Sequence, residues 1–279
     1  MRTTRVKLVV VAAVSALAIA AAVPAGASAW APAAQATIHP GVQTVTQGGQ
    51  CTANFIYTDS GGTYIGQAAH CASTGAATDT DGCLAGTLPL GTPVEIMGAS
   101  RPGTLAYSSW VTMQANGESD PDTCAYNDLA LVRIDPADVP KVNPSVPGFG
   151  GPTGVGGASA TGDDVFSYGN SSLRFGITQL SPKRGIVVTT EGGGWSRTVY
   201  TITPGIPGDS GSGFLNASGQ AIGTLSTVAL APLAASNGVG DLARELAYAR
   251  ANSSFSGVQL ENGTEPFTDD VVGAILGAG

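Results

Sequence analysis

The chain has 279 residues, of which 43% are apolar and 11% charged, with a formal net charge of −8. That much apolar material can build a core, which excludes a wholly disordered chain, and the acidic balance argues against nucleic acid or an anionic membrane as a partner. The 40 glycines and 17 prolines indicate many tight turns rather than long helices. At the N-terminus Arg2, Arg5 and Lys7 precede the apolar run Leu8 to Val23, and Ala27-Ser28-Ala29 follows. This predicts a signal peptide over residues 1–29 with Trp30 first after cleavage, and hence a secreted, extracellular protein. The run is shorter than the roughly 20 residues of a spanning helix, and Pro24 and Gly26 close it.

Residues 30–50 are rich in Ala, Pro, Gly and Thr and read as an extended lead-in or short propeptide. Two strands, Thr52–Thr58 and Thr63–Ala69, flank the turn Asp59-Ser60-Gly61-Gly62. Further strands are predicted at Pro93–Met97, Leu105–Met113, Leu129–Ile134, Val165–Tyr168, Gly185–Thr190, Thr198–Ile202 and Ala221–Val228. Pro147–Gly162 is glycine-rich, either a linker between two similar β halves or a surface loop. One helix is predicted, Asp241–Ala251, with Leu242, Leu246 and Ala249 on one face and Asp241 as its cap. Residues 251–279 read as a C-terminal tail, whose apolar run Val271–Leu276 is far too short to cross a membrane. Cys51, Cys71, Cys83 and Cys124 suit an oxidising compartment. Four cysteines allow three pairings, of which Cys51–Cys71 with Cys83–Cys124 closes the shorter loops. With no C-x-x-C spacing and only two histidines, no metal site is expected.

Three short stretches carry chemistry. Gly208-Asp209-Ser210-Gly211 sets a serine on a glycine-bounded turn, where positive φ at Gly208 would let the Gly208 and Ser210 N–H groups converge as an oxyanion pocket. Ala68-Ala69-His70-Cys71 ends a strand, and the other histidine, His39, sits in the Pro/Gly lead-in, so His70 is the candidate general base. Asn127-Asp128-Leu129-Ala130-Leu131 puts a carboxylate at the head of an apolar strand, where it could orient the imidazole.

Together these stretches, in the order His, Asp, Ser, resemble the motifs of secreted chymotrypsin-like serine proteases, bacterial members in particular. The resemblance runs over about residues 51–250. It implies an all-β fold of two antiparallel six-stranded barrels with a C-terminal helix, the junction lying near residues 140–162. It implies a secreted serine endopeptidase working through His70, Asp128 and Ser210 and an acyl-enzyme, with Gly208 and Ser210 as oxyanion donors. Cys51–Cys71 matches the family's bridge beside the histidine, which leaves Cys83–Cys124 as the second pair. Ser226 resembles the serine that supports the triad aspartate, and Pro204, Gly205, Ile206, Ser226, Thr227 and Val228 fall at substrate-binding positions. No metal or organic cofactor is implied. The implied partners are protein or peptide substrates and a proteinaceous inhibitor, on a monomer.

The sequence departs from the family in places. Ser212-Gly213 stands where Gly-Pro is familiar, and no Ile-Val-Gly-Gly-like start is present, so Asp209 needs an internal cation, with Arg174 and Arg184 as candidates. Pro204 occupies the place of the acid in trypsin-like members, and Val228 that of a pocket glycine. Both point to a small or medium apolar residue before the scissile bond. Leu225 stands where some glutamate-specific relatives carry histidine. Other readings are a non-catalytic homologue serving as a binding module and an esterase with the same triad.

Overall fold

The computed structural model describes residues 30–76, 78–228 and 234–277. The signal-peptide segment, 1–29, lies outside them. Two β systems follow one another along the chain. The N-terminal lobe contains β1 (Gln43–Thr46), β2 (Gly49–Thr52), β3 (Ile56–Asp59), β4 (Gly62–Ala68), β5 (Pro93–Ile96), β6 (Gly103–Ser108) and β7 (Leu129–Arg133). It also holds two short helices, α1 (Ser109–Asn116) and α2 (Pro121–Tyr126). The C-terminal lobe contains β8 (Asp164–Tyr168), β9 (Pro182–Glu191), β10 (Ser196–Ile202), β11 (Gly213–Asn216), β12 (Ala221–Val228) and β13 (Asn237–Asp241). Helix α3 (Leu242–Asn252), strand β14 (Gln259–Leu260) and helix α4 (Val271–Leu276) complete the chain.

The C-terminal lobe is the expected closed six-stranded barrel, in the order β10-β13-β12-β11-β8-β9. Alternation along its strands turns Val165, Val187, Val199, Phe214, Ile222, Leu225 and Val239 into one interior cluster. The N-terminal lobe is the second antiparallel system expected, with more than six strands. It is an eight-stranded sheet, β14-β3-β4-β7-β6-β5-β1-β2, because the lead-in contributes a hairpin at one edge and the tail adds β14 at the other. Past β2 the chain returns to β4 through Asn54 N–H to Gly66 O (2.8 Å) and Gly66 N–H to Phe55 O (2.9 Å). The strand predicted over Thr52–Thr58 is broken there. The Asn54 side chain accepts from the Phe55 N–H (2.6 Å) and fills the space over Gly66, where a Cβ would stand 2.0 Å from its oxygen.

A second correction concerns Leu105–Met113, which is strand only as far as Ser108. The Ser108 hydroxyl caps α1 by accepting from Val111 N–H, Thr112 Oγ1 donates to Ser108 O, and Gly117 stops the helix with φ 65°. The turn also buries Trp110 and Met113 on one face, which an extended strand would have put on opposite sides. Helix α2 has its own stop-start grammar: Asp120 caps it and Pro121 occupies the first helical position. Helix α3 forms as expected, with the Asp241 carboxylate accepting from Arg244 N–H (2.9 Å) and Leu242, Leu246 and Ala249 buried. Both disulfides form in the expected pairing.

Between the lobes lies a second apolar cluster, which the residues after α3 help to close. Phe255 stacks edge-on against Tyr64 (5.3 Å between centroids) and lies 5.6 Å from Tyr107. Farther along, Phe267 packs on Phe166 (5.5 Å), itself against Phe149 of the glycine-rich connection, while Ala274 of α4 covers Gly148. Among the described residues no helix is long and apolar enough to cross a membrane. Because Phe255 is 8% exposed and fills space between two tyrosines, Phe255→Ala should cost about 3–5 kcal/mol, read from urea unfolding of the full chain.

Candidate active site

Strand pairing brings the first two candidate residues together. Strand β4 pairs with β7 so that Ala68 lies opposite Leu129, and His70 and Asp128 sit just beyond that pair. A single 3₁₀ turn, Ala69–Ala72, carries His70, and Cys71 in that turn is tied to Cys51. Ala69 N–H donates to Asp128 O, and His70 N–H donates to Asp128 Oδ1, both at 2.8 Å. His70 Nδ1 lies 2.7 Å from Asp128 Oδ2. An ionised carboxylate only accepts, so Nδ1 carries the proton and Nε2 is left as the basic nitrogen. Burial alone would lower the His70 pKa, but the Asp128 charge and its hydrogen bond outweigh it and raise the value above 6.5.

The second lobe supplies the third donor to Asp128. Ser226 Oγ on β12 donates to Asp128 Oδ2 at 2.5 Å. Asp128 is only 3% exposed, so its charge depends on these donors.

Ser210 lies in the turn between β10 and β11 and is docked from both sides. Thr52 N–H donates to Ser210 O (2.8 Å), and Gly211 N–H donates to Leu225 O (2.7 Å). A Cβ at Gly211 would stand 2.6 Å from Thr52 O and 2.8 Å from Ala68 N, so only glycine lets the serine turn come this close to the histidine strand. Among the described residues the Ser210 hydroxyl makes no hydrogen bond to the His70 ring; backbone docking, not that bond, sets the serine turn against the strand that leads to His70.

The two expected oxyanion donors are oriented by their own peptide carbonyls. Ser171 Oγ holds Pro207 O (2.5 Å), and Ser212 N–H holds Asp209 O (3.0 Å). In a trans peptide the N–H points away from the C=O, so the Gly208 and Ser210 N–H groups face the other way. Among the described residues neither is donated to a protein acceptor. Gly208 takes φ 95°, and its own carbonyl accepts from Gln50 Nε2 (2.9 Å) and Thr52 Oγ1 (2.8 Å).

Asp209 is fully buried and paired with Arg174, as one of the two candidates required (Nη2 to Oδ2, 2.5 Å). Arg184 is not its partner: it reaches Asp164 at the surface (3.4 Å) and lies over the Phe166 ring. Strand alternation is the reason, since Arg184 points outward from β9 while Lys183, missed in the sequence, points inward. Lys183 is 0% exposed, with Nζ 3.0 Å from Asp209 Oδ2 and donating to Thr203 O (3.2 Å). Burial pushes its pKa down to about 8, with the Arg174 charge adding to the drop and Asp209 opposing it. Ser171 and Ile206 N–H groups complete the shell of Asp209.

The expected substrate-binding residues divide in two. Ser226 and Thr227 line a cleft of about 460 Å³ together with Tyr126, Thr189, Ser196 and Thr198. Gly205 and Thr227 are joined by a residue the sequence did not single out, Asn237. Its Oδ1 accepts from Gly205 N–H (2.8 Å), and its Nδ2 donates to Gly205 O and Thr227 O (3.3 Å each). Pro204 accepts from Arg174 through its carbonyl, Ile206 N–H serves Asp209, and Val228 is 42% exposed at the end of β12. None of Pro204, Gly205, Ile206 and Val228 lines the cleft. In each group of potential metal ligands among the described residues, Cys51-His70-Cys71 and Asp81-Cys83-Cys124, the two cysteines are joined in a disulfide.

Lys183 stays paired with Asp209 when Arg174 is removed, so the loss is that of the charge-assisted hydrogen bonds of Arg174 to Asp209 and Pro204 O. Arg174→Met should therefore destabilise the fold by about 1.5–3 kcal/mol, whereas Arg184→Ala should stay within about 0.5 kcal/mol; equilibrium unfolding of both variants separates the two arginines.

No family model matches this sequence, and no curated protein matches it. Solved structures do. Protease A of Thermobifida fusca aligns with a TM-score of 0.52 at 20% identity, over 81% of this chain and 99% of that one. A glutamic acid-specific serine protease, described as using a histidine triad in substrate binding, aligns with a TM-score of 0.50 at 18% identity, over 80% of this chain and all of the other. At such identities the likeness is one of architecture: a closed six-stranded barrel, a second antiparallel sheet and a C-terminal helix make this the chymotrypsin-like fold of serine proteases.

Proposed function

We propose that this protein is a secreted serine endopeptidase that cleaves peptide bonds through His70, Asp128 and Ser210. One observation carries the reading: hydrogen bonds run from Ser226 through Asp128 to His70 and leave its Nε2 basic, while Thr52 N–H and Leu225 O hold the Ser210 turn against the strand that leads to His70, with the Gly208 and Ser210 N–H groups undonated among the described residues. His70 Nε2 takes the Ser210 proton as Oγ attacks the scissile carbonyl, and the Gly208 and Ser210 amides receive the oxyanion. The imidazolium, stabilised by Asp128, then protonates the leaving nitrogen as the C–N bond breaks, and water attacks the acyl-enzyme by the same route. The two disulfides and the expected signal peptide support an oxidising, extracellular site of action.

Substrate is held as an extra strand. β12 pairs with β11 no farther than Thr224, so the edge of Ser226–Val228 on that side is open among the described residues. Beside it the Asn237 bridge fixes Thr227 of the cleft wall to Gly205, and Pro204 in the place of an acid supports a small or medium apolar side chain before the scissile bond. A histidine triad like that of the glutamate-specific neighbour cannot form. The chain has two histidines, and His39 is engaged with Pro40 O (2.8 Å) in the N-terminal lobe.

A fluorophosphonate probe should label Ser210 alone, with no adduct in Ser210→Ala; absence of an adduct on folded wild-type protein would favour a non-catalytic homologue. The labelling rate should rise with pH through an inflection above 6.5, because His70 must be neutral to act as base and its pKa is raised. Asp128→Asn should slow turnover by about 10⁴-fold. In a peptide-library digest, cleavage should follow Ala, Val or Leu rather than Arg, Lys or Glu.

A further inference from the structure

Behind Asp128 lies a second carboxyl group that the triad chemistry does not use. Glu245 is completely buried on the inner face of α3, where its neighbours are Leu242, Leu246 and Ala249. Asp128 N–H donates to its Oε1 (3.1 Å), and Thr224 Oγ1 of β12 lies 3.1 Å from its Oε2. Room for it comes from Gly240 on β13, where a Cβ would stand 2.5 Å from Oε1. The network continues into the first lobe. Asn54 Nδ2 donates to Thr224 Oγ1 (3.4 Å), while Asn54 Oδ1 accepts from Tyr57 O–H (3.1 Å) and Phe55 N–H.

We propose that Glu245 is a positioning residue for the triad, acting through Asp128: as a neutral acid it holds the Asp128 peptide with one oxygen and the Thr224 hydroxyl with the other, fixing the aspartate across the lobe boundary. The proposal rests on the triad reading given above. Its electrostatic basis is the set of groups facing the carboxyl. These are Asp128 at the head of β7, Asp241 at the start of α3, Tyr57 of β3 and Tyr107 of β6. Asp241 is already paired with Arg197 (2.5 Å), and no ion pair to Glu245 exists among the described residues. A carboxylate there would be a buried, uncompensated charge beside two other acids. Burial first, and then the charges of Asp128 and Asp241, push its pKa up to about 8 against the pull of its hydrogen bonds. The Thr224 hydroxyl donates to Oε2 of the carboxylate, and in the neutral form this bond reverses, the Glu245 O–H donating to Thr224 Oγ1. The carbonyl oxygen accepts from Asp128 N–H. Ionisation puts a second negative charge behind Asp128, which raises the proton affinity of His70 and loosens the clamp.

The test is ¹⁵N–¹H NMR of the His70 ring in the full chain from pH 5 to 10, alongside the fluorophosphonate labelling rate. Wild type, Glu245→Gln and Glu245→Ala are compared. In wild type the ring signals should show their own titration and a second inflection near pH 8. Glu245→Gln keeps the size and both hydrogen-bonding ends. It should retain the Nδ1–H resonance and label within about twofold of wild type at pH 7, but lack the second inflection. Glu245→Ala should lose the Nδ1–H resonance and label at least about tenfold more slowly. Persistence of the second inflection in the glutamine variant would overturn the proposal, and so would an alanine variant with the resonance and labelling rate intact. The glutamine variant carries the test if the alanine variant does not fold. Unlabelled wild type with these NMR signatures would count against the protease reading while supporting the clamp on Asp128.

Discussion

The carboxylate of Asp128 is the constraint on which the rest of the structure turns. A charge that is 3% exposed stays ionised only if donors surround it. Here the donors come from both sides of the molecule: the main chain and ring of His70 from the N-terminal lobe, and Ser226 from the C-terminal barrel. Neither lobe alone satisfies the group. The two must therefore meet at a fixed distance, and the turn carrying Ser210 docks on the first lobe through Thr52 and the bare backbone of Gly211. Hydrogen bonds that fix the aspartate thus also fix where the serine sits relative to the histidine.

A second buried carboxylate organises the serine turn from beneath. Asp209 draws together Arg174, Lys183 and the amides of Ser171 and Ile206, so the residue before Ser210 is held by groups from three separate stretches of chain. Two cations against one anion leave an excess positive charge under the turn whose Gly208 and Ser210 N–H groups have no protein acceptor among the described residues. That is favourable for an oxyanion, and it adds to the burial that makes Lys183 titrate more easily than an exposed lysine. In a chain with only 11% charged residues, several of the buried ones cluster within the shells of Asp128 and Asp209. The expense of desolvating charge is concentrated where orientation matters most.

The segment after α3 is part of the same architecture. By adding β14 to the first sheet and laying Phe255 and Phe267 onto tyrosines and phenylalanines of both lobes, it closes the apolar seam around the polar site. A water-poor seam strengthens every hydrogen bond that crosses it, those to Asp128 and Glu245 included.

Local signals were enough for much of this. Strand-like apolar runs marked β4, β7 and β12, Gly61-Gly62 marked a hairpin, and Asp241 with Leu242, Leu246 and Ala249 marked α3, because each depends on neighbours within a few residues. Three motifs in order pointed to His70, Asp128 and Ser210, and loop length to the disulfide pairing that forms. What the chain order does not contain is side-chain direction across long separations. Whether Lys183 or Arg184 meets Asp209 depends on the facing of one strand. Whether 105–113 stays extended depends on a Ser108 cap and on Trp110 and Met113 finding one core. The places of Asn237 between two walls and Glu245 behind Asp128 depend on contacts between residues 32 and 117 positions apart. The sequence by itself determined the local elements and the chemistry they carry; only tertiary packing decided which buried charges face each other, since desolvation is a property of the whole surroundings and not of any one stretch.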